Sequence, residues 1–368
     1  MKRILTIIFI FFLSFISANA AEDSIVLPSV TGIVKEVQYV DFSSNDEIQT
    51  KQTAEIKLSE GKEKGSLIVV DNMLTGNPYY DMNLKKGMKV ILHAEQEEDG
   101  EIVYSVEDIK RSNVLVFLFF VFCGLLIYVG RQKGLYSLVS IVITCALIYW
   151  LLSPMILYGI NPVLATMLLC IVSTTVTMHL VGGFNKKSTS AAIGCILSLV
   201  AAGILSYLAV RFAHISGVTN ENSVFLYNVH PELNFVSITI SMMILATLGA
   251  VMDVGMSISS TINEIFMVDN TKTVKELFKC GMNVGRDIIG TMANTLILVY
   301  IGGSLPLLLL SSNIDFQKFI NLNQVFTEMA SALIGSSAIV ICVPITAIVA
   351  SELVSKIPED FNFSKLKN

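Results

Sequence analysis

Seven long apolar runs constrain this chain more than any other feature. They fall near residues 113–130, 135–152, 163–181, 190–210, 233–252, 288–310 and 329–354. About 20 apolar residues cross the hydrocarbon core of a bilayer as a helix. Backbone in lipid must satisfy its own hydrogen bonds, so runs of this length are helices there. Only 15% of the 368 residues are charged and 53% are hydrophobic, whereas a soluble domain carries roughly 25% charged residues. The chain therefore reads as an α-helical polytopic membrane protein with a seven-helix transmembrane domain over 113–354.

What precedes the runs is different material. The N-terminus, "MKRILTIIFIFFLSFISANA", has Lys2 and Arg3 before an apolar stretch from Ile4 to Ile16, then the small-x-small site Ala18-Asn19-Ala20. This pattern predicts a signal peptide over 1–20 and sends residues 21–112 across the membrane. That segment holds ten Lys and Arg against eighteen Asp and Glu. It alternates in the manner of strands: "SVTGIVKEVQYV", "QTAEIKLSE", "GSLIVVDN", "GMKVILHAE" and "EIVYSVEDIK". Five short strands in under 90 residues predict a small all-β barrel of OB-like type. Its acidity excludes a nucleic-acid backbone as partner. An envelope component or a protein partner suits it better. All six cysteines follow residue 112, so no disulfide framework holds the exported segment. The cysteines are scattered, form no metal-ligand pair, and read as apolar filler.

Lys and Arg between the runs set the orientation. Eleven fall on one side, among them Arg131, Lys133, Lys186, Lys187 and Lys272, and two on the other, Arg211 and Lys318. Positive charge marks the cytoplasmic side. An odd number of crossings then leaves the β domain extracytoplasmic and the tail, 355–368, cytoplasmic, in agreement with the signal peptide. Tyr149, Trp150 and Tyr158 suit an outer aromatic belt. Residues 254–282 read as an amphipathic cytoplasmic connection of one or two interfacial helices.

The candidate site starts from "LATLGAVMDVGMSISSTINEI", residues 245–265, where a carboxylate and a ladder of hydroxyls follow membrane-like sequence. Helical spacing puts Asp253, Ser257, Ser260 and Glu264 on one face. In "CGMNVGRDIIGTMANTLILVYIGGSLPLLLL", Asn283, Asp287, Gly290 and Asn294 share another, beside Arg286. These two polar faces are expected to meet side by side at the inner leaflet, with Asp253 and Arg286 as the natural ion pair. A charge in hydrocarbon costs about 2.5–3.5 kcal/mol on insertion scales, so it persists where it is paired or lines a wet cavity. Asp253, Ser257, Ser260, Asn283, Arg286, Asp287 and Asn294 are the candidate solute- or ion-binding residues. His179, Glu328 and Glu352 read as residues of the membrane interfaces. Gly302-Gly303 with Pro306, and Gly335-Ser336-Ser337 with Pro344, predict interruptions in the last two spans, a pointer to transport sites.

These same stretches, "GAVMDVGMSISSTINE" and "GMNVGRDIIGTMANTLILVYIGGSLPLLLL", with "VPITAIVA" near the end, resemble the YibE/F-like family of bacterial multi-pass membrane proteins. The resemblance covers most of the chain, including the β-rich segment. It implies the architecture and a bacterial plasma-membrane location, and members are sometimes described as transporters. It supplies no catalytic residues. The primary reading is a transporter or permease for a small solute or ion. The alternative is a non-transporting scaffold or sensor whose outer β domain binds a partner. No H-E-x-x-H, G-x-S-x-G, cysteine–histidine or P-loop pattern is present, so neither an enzyme nor ATP hydrolysis is expected. No cofactor or metal is implied. Small-residue faces permit a homo-oligomer.

Overall fold

The computed structural model describes residues 27–44, 47–61, 63–77, 81–96 and 102–355. The expected signal peptide (1–20) and the tail from 356 onward lie outside these residues. The chain divides into two compact units, Met1–Val129 and Gly130–Asn368. The division falls inside the first long helix rather than at its start.

The first unit contains five strands: β1 (Leu27–Ser44), β2 (Glu47–Leu58), β3 (Leu67–Leu74), β4 (Lys89–Gln96) and β5 (Ile102–Ile109). They pair antiparallel in the order β3-β2-β1-β4-β5, and β3 also approaches β5, so the sheet nearly closes into a barrel. The long β1 makes this possible. It pairs with β2 from Gly32 to Ser44 and with β4 from Leu27 to Ile33, and its register shifts between Val34 and Glu36. A bulge of this kind bends a strand so that it can serve two neighbours. Gly32 stands at the crossover, where a Cβ would collide with Ile56. Alternate residues point inward and form a core of Val34, Ala54, Ile56, Leu58, Val70, Leu84, Val90 and Leu92. The expected OB-like barrel is thus present in these strands.

The first helix, α1 (Ser112–Leu147), runs through a π-helical turn, Ile148–Leu152, into α2 (Ser153–Leu157). Its backbone leaves helical geometry at Arg131, where φ is 49° and ψ is −126°. Arg131 therefore divides Ser112–Leu157 into two helical halves across a kink, and these halves coincide with the first two apolar runs. With that stretch taken as one, the described residues hold six helical stretches long and apolar enough to cross a membrane. The first two apolar runs account for the difference from seven. Only four residues, 131–134, separate them, and helical backbone resumes on both sides of Arg131.

The remaining helices are α3 (Pro162–Gly182), α4 (Lys186–Phe212), α5 (Glu221–Val229), α6 (Phe235–Val268), α7 (Val274–Gly303), α8 (Leu305–Leu310), α9 (Phe316–Ile320) and α10 (Asn323–Ser355). Their starts are capped. Asn161, Asn185 and Asn234 accept backbone N–H groups of α3, α4 and α6, and Thr273 with Glu276 forms a capping box on α7. Each cap satisfies donors that the first helical turn leaves open.

At the centre, α10 packs against α4, α6 and α7, and α4 packs against α6. Small residues let these backbones approach closely. A Cβ on Gly194 would collide with Thr346, one on Gly255 with Cys195, and one on Gly285 with Val343. Around these contacts lie Leu199, Met243, Ile244, Ile258, Ile262, Ile339 and Val343, all essentially buried.

Two expectations are corrected here. Residues 254–282 are not a run of separate interfacial helices. The α6 helix continues to Val268, α7 begins at Val274, and only 269–273 joins them. Ile258, Ile262, Phe266 and Leu277 are buried, so the apolar stripes that make this segment amphipathic extend the bundle. The paired interruptions are also only half present. At Gly303 α7 stops, and Pro306 opens α8, but α10 passes Gly335 and Pro344 unbroken.

Candidate functional site

All seven candidate residues lie on α6 and α7, two antiparallel neighbours. The register between them follows from glycine contacts: Gly281 sits against Ile262, and Gly285 against Ile258. By that register Arg286 is level with Ser257, and Asp253 lies one turn farther along, level with Gly290.

The buried face of α6 contains Val251, Val254, Gly255, Ile258, Ser259 and Ile262, and that of α7 contains Leu277, Gly281 and Gly285. The polar residues occupy the opposite sides. Asp253, Asn283, Arg286, Asp287 and Asn294 are exposed, while Ser257 and Ser260 are half-buried. Arg286 Nη1 donates to Asn283 Oδ1 at 3.4 Å, one turn away on the same helix. Among the described residues no hydrogen bond or ion pair engages the side chains of Asp253, Asp287 or Asn294. The expected Asp253–Arg286 ion pair is absent, because the two are a turn out of level and neither points into the bundle. The polar faces thus share one outward surface and do not line a cavity inside.

The bundle interior is packed and carries its own polar groups differently. Ser198, Ser206, Ser331 and Ser336 donate to carbonyls one turn back on their own helices. Cys195 of α4 and Cys342 of α10 converge on the carbonyl oxygen of Val251, at 3.3 and 3.6 Å. These two cysteines, far apart in sequence and read as scattered filler, meet where Gly255 leaves room. Asp253 follows Val251 by two residues but turns the other way.

The interfacial residues fall as follows. His179 donates through Nδ1 to the Thr175 carbonyl at 2.8 Å, and its Nε2 lies 3.3 Å from Thr189 Oγ1, tying α3 to α4. Glu352 is exposed. Glu328 lines an apolar cavity of about 350 Å³ with Tyr300, Phe316, Phe319, Met329 and Leu333, beneath the short helices α8 and α9. Sequence reading had no signal for this cavity, since it depends on where α8 and α9 fold back.

In the first unit, Gln52 is fully buried in the barrel. Its Oε1 accepts from Leu84 N and from Asn72 Nδ2, both at 3.0 Å, and its Nε2 donates to Asn83 Oδ1 at 2.9 Å. On the outer surface of β3, Leu67, Val69 and Met73 are exposed apolar residues.

Among known families, the model for YibE/F-like protein matches residues 118–356, and that for the YibE/F family N-terminal domain matches residues 29–109. No curated protein and no solved structure matches the chain.

Proposed function

The chain belongs to the YibE/F-like family, and on that premise we propose that it is a bacterial plasma-membrane transporter for a small solute or ion. The β domain lies outside and the C-terminus in the cytoplasm, as the distribution of Lys and Arg supports. The single observation that carries the reading is an ionisable group at depth with no hydrogen-bond or ion-pair partner among the described residues. In α4, Lys187 and Arg211 are separated by ~36 Å of helix, enough to bracket a hydrocarbon core of about 30 Å. Cys195 packs beside Gly255, which supports a depth for Asp253 of ~15 Å inward from the level of Lys187. A carboxylate held there without a basic neighbour suits a group that binds a cation or carries a proton.

Asp253 is the binding group in this mechanism. Ser257 and Ser260 lead from it along α6 toward the cytoplasm. The test begins with thermal melting of the purified protein with protons, mono- and divalent cations and small anions, beside Asp253→Asn. Only a ligand that binds the folded state stabilises it. A ligand that raises the melting temperature of the parent and not of the variant is then followed as flux into liposomes. Loss of that flux in Asp253→Asn is expected. Undiminished flux through a correctly inserted variant sinks the mechanism.

The exposed Leu67, Val69 and Met73 on β3 favour a second reading, in which the outer domain docks a protein partner and the helices anchor it. Deleting residues 21–112 separates the two. Flux that survives the deletion supports transport by the helices alone. Loss of all function with an intact bundle supports the scaffold.

A further inference from the structure

The outward surface of α6 and α7 is unsuited to lipid, and its charges complement themselves. Asp253, Arg286, Asp287 and Asn294 are all exposed there. Facing hydrocarbon, each charge costs about 2.5–3.5 kcal/mol. Two glycines of the same surface, Gly249 and Gly290, have open space where a Cβ would point, in contrast to the crowded glycines of the buried faces. Among the described residues the surface thus combines charges of both signs that form no ion pair with room for another backbone.

We propose that a second copy of this chain covers this surface, in a two-fold dimer whose axis runs along the membrane normal. Copies with one topology can form a closed dimer only about such an axis, and each residue then meets groups at its own depth. Arg286 and Asp287 are adjacent in sequence and differ in depth by ~1.5 Å. Arg286 of each copy therefore reaches Asp287 of the second copy, and two reciprocal ion pairs form. Asn294, two turns deeper, meets Asn294 of the second copy, and an amide can both donate and accept across such a seam. Gly249 and Gly290 let the helices close. Asp253, a turn deeper than Arg286, is left without a basic group at its level. A dimer of this kind stands whether or not the chain transports anything, since oligomeric state and flux are read separately.

Native mass spectrometry from lipid nanodiscs tests the arrangement. The parent is expected as a dimer. Arg286→Asp and Asp287→Arg, which each juxtapose like charges, are expected to weaken it about tenfold or more, given ~1–2 kcal/mol per polar contact between membrane helices. The double variant Arg286→Asp/Asp287→Arg restores opposite pairs and is expected to recover the dimer. Should the charge variants fold poorly, Asn294→Cys gives an independent readout. Mild oxidation of native membranes is expected to cross-link it to dimer, above the background from the parent's own cysteines. A parent that is monomeric and an Asn294→Cys variant that does not cross-link overturn the proposal. So does a dimer unmoved by both single reversals.

Discussion

Ser190 Oγ and Ser259 Oγ lie 2.6 Å apart and join α4 to α6, and Ser259 Oγ is also 2.7 Å from the carbonyl oxygen of Lys187. If Ser259 donates to that carbonyl, Ser190 can donate to Ser259. Both serines are fully buried, so each hydroxyl matters beyond the bond it makes. Ser259→Ala is expected to cost about 1 kcal/mol, the net worth of a typical buried hydrogen bond. Ser190→Ala and the double variant complete a cycle. A coupling near ~0.6 kcal/mol is expected, the usual scale between membrane helices. Strict additivity in thermal or steric-trap unfolding would show that the two hydroxyls act independently.

The glycines of α7 separate folding from assembly. A Cβ on Gly285 collides with Val343 and lies 3.2 Å from Ile258, whereas one on Gly290 meets nothing within 4 Å. Gly285→Ala is expected to lower the stability of the detergent-solubilised monomer by about 1–3 kcal/mol, the range for overpacking. Gly290→Ala is expected to leave it unchanged or raise it by up to about 1 kcal/mol, as alanine is the better helix former. Gly290→Leu then blocks the seam between copies without disturbing the bundle. Equal destabilisation by Gly285→Ala and Gly290→Ala would contradict this packing.

Much of this architecture was legible in the chain. Alternation in "QTAEIKLSE" and "GMKVILHAE" places β2 and β4 because a barrel strand buries every second residue. The apolar runs place the helices because lipid leaves the backbone no other partner. A helical wheel also shows that Asp253 shares a face with Ser257, and Asp287 with Asn294. It does not show which way that face turns, because neighbouring helices decide the matter. The clue lay in Leu277, Gly281 and Gly285, spaced four apart on the opposite side of α7. Such a small-residue stripe marks the side where another helix approaches, and it turns the polar side outward. That a kink at Arg131 rather than a longer loop joins the first two spans was not legible, since Arg131 and Lys133 look like an ordinary loop. Nor was the meeting of Cys195 with Cys342, which follows from contacts of α4 and α10 distant in sequence.

Gln52 is the polar keystone of the barrel. It occupies an inward position of β2 at 0% exposure and bridges that strand to Asn72 of β3 and to the 83–84 segment. Gln52→Leu keeps the volume roughly constant but leaves the Leu84 N–H and an Asn72 N–H without their acceptor. Unsatisfied buried donors cost about 1–3 kcal/mol each, so a loss of roughly 2–4 kcal/mol is expected in the barrel. Hydrogen exchange in the full chain should register faster opening of β2 and β3 with the α4–α6–α10 core unchanged. Gln52→Glu is expected to be worse at neutral pH, because it replaces a donor facing Asn83 Oδ1 with a buried charge. Barrel exchange unaffected by either change would mean that these hydrogen bonds do not hold the strands.

Asp81 closes the loop after β3. The Thr75 backbone N–H donates to its Oδ1 at 2.6 Å, the Thr75 hydroxyl donates to the same oxygen at 2.9 Å, and the Gly76 N–H donates to Oδ2 at 2.7 Å. The Thr75 backbone bond foremost holds the carboxyl below its ordinary value of 3.8; burial opposes it, and the Thr75 hydroxyl and then the Gly76 bond add to the lowering. A folded-state value below the unfolded one means that the unfolded chain takes up the proton first as pH falls. The contribution of Asp81 to loop closure is therefore complete above about pH 4–5, declines through the ordinary carboxylate range, and is gone below the depressed folded value. Asp81→Asn, which cannot ionise, is expected to remove this pH dependence and to loosen the loop at neutral pH. Comparing Gly76 amide protection in parent and variant at matched pH isolates the effect from intrinsic exchange rates. Protection in the parent should converge on that of the variant as pH drops toward 3, whereas a constant gap between them from pH 7 to 3 would show that the carboxylate charge plays no part.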